Sequence, residues 1–218
     1  MRWINKDKLL SSLPAPPSFL LLLYKVVRNL AYAVWNLALA LWYGSWWYLT
    51  AGVYHALLGA IRTSAAASQR RGGDGLRVMT ASGILLPCLA IVEAGTVVLS
   101  IHERVADIRS LIPLIVSAAF TFYMLIYAII TLARRRRDRS ASDATLRYAA
   151  LADASMAMLT LERTMVASLD TDGVSSRFYI AMTGSLGMAV FLVIAASGVR
   201  LLLLRRQYAQ KTETKEPL

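Results

Sequence analysis

The residues with the most chemical potential in this chain stand inside otherwise apolar stretches: His55, Glu93, Asp153 and Arg163, with Asn29 and Asn36 adding amide groups. An ionisable side chain in such surroundings carries a heavy desolvation cost and calls for a partner. Depth along the helices suggests two pairings. His55 and Asp153 each lie about six to seven residues, or about 9–10 Å, from one end of their stretches. Glu93 and Arg163 lie at a similar depth, about 9–10 Å, from the opposite end. A histidine titrates near neutrality and a carboxylate can move that titration. The first pair, with Asn36 close by in the pattern, therefore reads either as an inert hydrogen-bonded contact or as a proton- or cation-binding site. Glu93 and Arg163 read as a structural ion pair, since pairing leaves neither charge free to bind anything else.

Other constellations are weaker. Gly184 and Gly187, on either side of Ser185, have the spacing of a close-packing helix face, and Asn29 and Asn36 suit interhelical hydrogen bonding. His102, Glu103, Arg104, Asp107 and Arg109 supply the side-chain types of a site but read as a solvated mixed-charge loop. There is no Walker A loop, no His-Glu-x-x-His and no Gly-x-Ser-x-Gly elbow. The lone Cys88 provides neither a disulfide nor a cysteine metal site. The expectation is a protein that is not an enzyme and that uses no cofactor and no metal.

The elements that must position these residues are set by composition. Of 218 residues 57% are hydrophobic and 17% charged, and the mean hydropathy is +0.51, an all-α membrane composition rather than a soluble one. Spans are expected at about 26–43, 46–61, 78–100, 111–133, 146–169 and 178–204. The apolar run from Phe19 to Ile61 is too long for one crossing, and Gly44-Ser45, flanked by Trp42, Tyr43, Trp46, Trp47 and Tyr48, is where it should turn. Lys25 and Arg28 are expected to snorkel to the membrane surface. The segment 146–169 carries Arg147, Asp153, Glu162 and Arg163, so it crosses only if its neighbours shield it. The net charge of +11 lies in short runs at span ends rather than on an aromatic-interleaved face, which argues against nucleic acid. Six crossings put the basic groups around Arg2, Arg62, Arg70, Arg77, Arg134–Arg137 and Arg205 on one side, which the positive-inside rule makes the cytoplasm. Both termini then face inward. The predicted organisation is a cytoplasmic segment 1–18, a transmembrane domain 19–204 and a cytoplasmic tail 205–218, with polar hinges at Gln69–Gly75 and Arg134–Ala144, a disordered end from Tyr208 and no soluble domain.

Asn29-Leu30, Ala33, Asn36, Ala40 and Gly44-Ser45 resemble the first two helices of cation diffusion facilitators. Leu151-Ala152-Asp153-Ala154 resembles the family segment that carries a metal-binding aspartate. The resemblance implies six spans with both ends inside and singles out Asp153. The chain departs from the pattern where ligands would fall: Ala51, Tyr54 and Leu58 occupy the second helix, Ala149 stands four residues before Asp153, and the family's cytoplasmic domain is missing. Ala181–Gly184 also resembles a pattern in small bacterial multi-pass proteins. Together these lead to a cell-membrane protein, of bacterial type, whose surroundings are the bilayer and a second copy or another membrane protein. Its expected role is a non-catalytic module that binds or stabilises another membrane component, with a proton- or cation-coupled transporter using Asp153 and His55 as the alternative.

Overall fold

The computed structural model describes residues 18–71, 75–102, 111–133, 140–169 and 176–213, and these form an all-α bundle of six helices. In chain order they are α1 (Ser18–Tyr43), α2 (Trp46–Arg71), α3 (Gly75–His102), α4 (Leu111–Ala133), α5 (Ala141–Leu169) and α6 (Ser176–Glu213). Between α1 and α2 the chain turns on Gly44, whose φ of 63° lies in the left-handed region that a side chain disfavours. Ser140 starts α5 by accepting the amide of Asp143 at 3.2 Å, an N-cap bond.

Helical structure extends past several expected boundaries. Gln69–Arg71 continue α2, Ala141–Ala144 belong to α5 rather than to a hinge, and α6 runs through Tyr208 to Glu213 instead of ending in a disordered tail. Polarity misled the sequence reading at these places, because Ala, Gln, Arg and Lys are good helix formers whatever their solubility. The outer loop with Glu103, Arg104, Asp107 and Arg109, and the run Arg134–Arg139, lie outside the described residues.

Successive helices alternate in direction, as cross-helix contacts reveal. At one end of the bundle Gln69 donates to Asp143 at 2.6 Å and Gly75 lies beside Ser142, which gathers the end of α2 with the starts of α3 and α5. At the other end the Tyr179 hydroxyl donates to the Ser100 carbonyl at 2.8 Å, and Arg163 covers Trp47, which gathers the ends of α3 and α5 with the starts of α6 and α2.

Two packing regimes hold the bundle. The seam between α3 and α6 is very close: a Cβ added to Gly198 would meet Pro87 Cδ at 2.4 Å, and one on Gly187 would meet Val97 Cγ2 at 2.6 Å. Small residues let the backbones approach there, as the Gly184–Gly187 spacing led us to expect for Gly187. Gly184 departs from that expectation, since an added Cβ would meet open space. In contrast α1 packs mainly on α2 and α4 mainly on α5, so both are peripheral. The helix that carries Arg147, Asp153, Glu162 and Arg163, α5, is the most enclosed, touching α2, α3, α4 and α6. Its inward face carries Tyr148, Ala149, Ala152, Met156 and Leu159, all buried.

Large apolar side chains point outward. Trp35, Leu41, Trp42, Ile91, Ile115 and Met188 are each more than 60% exposed, whereas Asn29, Arg62 and Glu93 are at most 1% exposed. Among the described residues, Gly75–His102 and Arg177–Gln210 are long and apolar enough to cross a membrane.

Candidate functional site

Asp153 sits on the buried face of α5, one residue past the alanine whose carbonyl accepts the Tyr54 hydroxyl of α2 at 2.8 Å. Two helices bring guanidinium groups to it. Arg62 on α2 follows Tyr54, Leu58 and Ile61 along a single helical face and is 1% exposed. Its Nη2 lies 2.9 Å from Asp153 Oδ2 and 3.4 Å from the Ala149 carbonyl. Arg28 on α1 pairs with the same Oδ2 and also donates to Asn29 Oδ1 at 3.4 Å and to the Met124 sulfur at 3.3 Å. Lys25, one turn earlier, lies 3.8 Å from the centre of the Tyr127 ring on α4, and Arg28 lies 5.6 Å from that of Phe120. These are cation–π distances.

This geometry corrects the expected pairing of Asp153 with His55. The carboxylate is taken by two arginines, whose permanent charge and forked donors suit a buried carboxylate better than an imidazole. His55 instead stacks on Tyr32 at 5.3 Å and meets Tyr54 edge-on at 5.8 Å, and its Nδ1 is buried without a hydrogen-bond partner. Asn36 belongs to neither group, because its amide donates back to the Tyr32 carbonyl of its own helix at 2.8 Å. Lys25 and Arg28 do not snorkel away from the bundle; Arg28 turns inward to Asp153, and Lys25 lies on the α4 ring. Arg62, counted with the basic groups at the span ends, is buried inside the bundle.

The second expected pair does not form. Both carboxylate oxygens of Glu93 are buried without a hydrogen-bond partner, while the Arg163 guanidinium lies 3.8 Å over the Trp47 ring. Matching depth along two helices does not fix rotation about their axes, and rotation places Arg163 over α2 and leaves Glu93 unpaired. The neighbouring acid, Glu162, is satisfied by the Thr183 hydroxyl at 2.6 Å. It lines a crevice of about 20 Å³ with Trp47, Thr96, Ser100 and Met156, which is room for a water molecule and little more.

Among the described residues no group of three or more His, Cys, Asp or Glu side chains could hold a metal ion. What α1, α2 and α5 assemble is a basic cluster built on one acid: Lys25, Arg28 and Arg62 around Asp153. Sequence reasoning missed the arginines' role. The signal was present for Arg62, which falls in step with Tyr54 and Leu58, and for Arg28, which adjoins the buried Asn29. Comparisons with protein-family models, curated proteins and solved structures return no match.

Proposed function

We propose that the chain is a six-span membrane protein with both ends in the cytoplasm, of facilitator-like architecture, that binds or stabilises another membrane component without catalysing a reaction. Helix length supports the span count: the shortest helix, α4, has 23 residues and so measures about 35 Å, against a hydrocarbon thickness of about 30 Å. The exterior supports it too, since large apolar side chains face outward while Asn, Arg, Glu and hydroxyl groups are enclosed. Ser and Thr hydroxyls bond back to their own helices, as with Ser197 to the Val193 carbonyl at 2.6 Å and Thr80 to that of Leu76 at 2.8 Å. Arg77, at the start of α3, and Arg205 and Arg206, late in α6, lie toward one end of the bundle, which the positive-inside rule would make the cytoplasmic one.

The observation that carries the functional reading is the neutralisation of Asp153. A carboxylate already held by two guanidiniums has no net charge to offer a cation, so the residue that the facilitator resemblance singles out serves as an anchor between α1, α2 and α5. In-cell crosslinking followed by purification from native membranes tests this: a membrane-protein partner, or a second copy, is expected in stable stoichiometry, and recovery of the isolated monomer alone refutes it. The transporter reading draws on a different observation, the buried His55 Nδ1 and Glu93 carboxylate without hydrogen-bond partners. It requires a pH- or cation-gradient-driven flux in liposomes that Asp153→Asn abolishes.

A further inference from the structure

We infer that the Lys25/Arg28/Arg62 cluster is a binding site for a phosphate-bearing anion. The inference goes beyond the role proposed above and rests on its membrane placement only for the direction from which the anion arrives.

Charge is the first ground. Arg28 and Arg62 both pair with Asp153 and Lys25 stands one helical turn before Arg28 on α1, so three basic side chains gather near one carboxylate and the described cluster carries more positive charge than its acid offsets. Unsatisfied donors are the second. Arg62 spends Nη2 on Asp153 and Ala149, yet its Nη1 is buried without a hydrogen-bond partner in a residue only 1% exposed. Asn29, fully buried, accepts from Arg28 at its Oδ1 and leaves its Nδ2 unpartnered in the same network. Buried donors without acceptors are rare in native proteins, and a charged one is the most costly to leave so. A guanidinium with a vacant Nη edge, a second guanidinium and an ammonium are the recognition set for a phosphate, whose several oxygens accept from each. A metal cation is repelled by the same set.

Access is the third ground. Because α1 packs on α2 and α4 on α5, the two peripheral helices meet here through side chains, Lys25 on Tyr127 and Arg28 on Met124 and Phe120. Exposed Tyr24 and Val27 on α1 and Tyr123 on α4 flank this seam. In the proposed topology this seam lies toward the cytoplasmic leaflet, the side from which a lipid phosphate or a soluble phosphate would arrive.

The full chain, purified in detergent, is tested by native mass spectrometry with added phosphatidylglycerol against phosphatidylcholine, and by calorimetric titration with inorganic phosphate. Preferential retention of phosphatidylglycerol, weakened about ten-fold or more by Arg62→Gln and by Lys25→Gln, identifies a lipid site. Saturable binding of inorganic phosphate with the same loss identifies a soluble anion. Lys25→Gln is the safeguard should Arg62→Gln fail to fold, since Lys25 lies at the edge of the network, and circular dichroism reports folding in each case. Arg205→Gln, an exposed basic residue elsewhere, should leave binding unchanged. Equal retention of both lipids with no phosphate binding means that water alone fills the cluster and overturns the inference. So does retention unaffected by Lys25→Gln, or lowered as much by Arg205→Gln. Cysteine labelling of the two chain ends measures the six-span topology separately, so loss of the anion site and failure of the topology are distinguishable.

Discussion

Replacing Asp153 with asparagine removes one charge from the centre of the bundle and little else. Asparagine keeps the shape of the side chain and one oxygen able to accept from Arg62, whose Nη2 lies 2.9 Å from the present carboxylate. What disappears is the counter-charge for two guanidiniums, of which Arg62 is 1% exposed. Each pair at a charge separation of about 4 Å contributes about 4 kcal/mol at an effective dielectric constant of about 20. Much of that is offset by the desolvation of the ions, and breaking a buried pair by deleting one partner costs about 3–5 kcal/mol overall. We expect Asp153→Asn to lower stability by about 3 kcal/mol or more. The reciprocal experiment is more discriminating. Converting all three residues together, Arg28→Met, Arg62→Met and Asp153→Leu, removes the charges and the desolvation cost at once and should be within about 1 kcal/mol of wild type. Reversible unfolding of the purified chain in mixed micelles with increasing SDS, followed by tryptophan fluorescence, measures both. A cost under about 1 kcal/mol for Asp153→Asn, or a triple variant as unstable as the single one, would refute the anchoring role.

Glu93→Leu should stabilise the fold by about 1–3 kcal/mol, because both oxygens of this fully buried carboxylate lack a hydrogen-bond partner; destabilisation in the same unfolding assay would mean that the acid has a partner. Gly198→Ala should cost about 1–3 kcal/mol, since the new Cβ would meet Pro87 at 2.4 Å and the Gly83 carbonyl at 2.9 Å. Gly184→Ala, with nothing near its Cβ, should instead be neutral or gain up to about 1 kcal/mol of helix propensity, and equal effects at the two glycines would contradict the α3–α6 seam. Gly44→Ala is expected to cost about 1–2 kcal/mol through its φ of 63° with no steric clash, and Gly44→Asn, which tolerates that region, should recover part of the loss.

The sequence announced the helices and the faces that several of them bury. Asn29, Ala33, Asn36 and Ala40 are spaced four, three and four apart, and all four are buried on α1; small and polar residues at helical period mark the inward face of a bundle whose outside is apolar. The turn at Gly44 was legible because, of the three glycines in the long apolar run, it is the one with Trp and Tyr on both sides, the residues that favour the membrane–water interface. Side-chain partners were not legible. Depth from a helix end is a one-dimensional coordinate, and a pairing needs the rotation of both helices and their spacing as well. His55 is the clearest case: it shares α2 with Arg62 and has the right depth, yet the longer arginine side chain reaches Asp153 and the imidazole is left between Tyr32 and Tyr54. Arg28 was misread for a related reason. A cation near the end of an apolar helix ordinarily reaches outward to the interface, and only the buried acid on α5 makes the inward rotamer preferable.

The two packing regimes give the basic cluster a mechanical position as well as a chemical one. At Gly187 and Gly198 α6 packs so closely on α3 that no side chain fits between them, and α2 and α5 are joined by the Tyr54 hydroxyl and by Arg62. No comparable backbone contact joins α1 to α4; what spans between them is Lys25 on Tyr127 and Arg28 on Met124 and Phe120, and Arg28 is at the same time the tie from α1 to Asp153. Any group that adds negative charge beside Arg62 competes with Asp153 for those guanidiniums, and so acts on Arg28, one of the side chains that link the peripheral helices. A bound phosphate and the Asp153→Asn substitution therefore perturb the same coordinate from opposite sides. The first adds a second anion for the cations to share and the second removes the carboxylate that both guanidiniums hold. A distance measured between labels on α1 and α4 should therefore respond to both, while one measured across the α3–α6 seam stays fixed; equal changes at the two places would refute the link through Arg28.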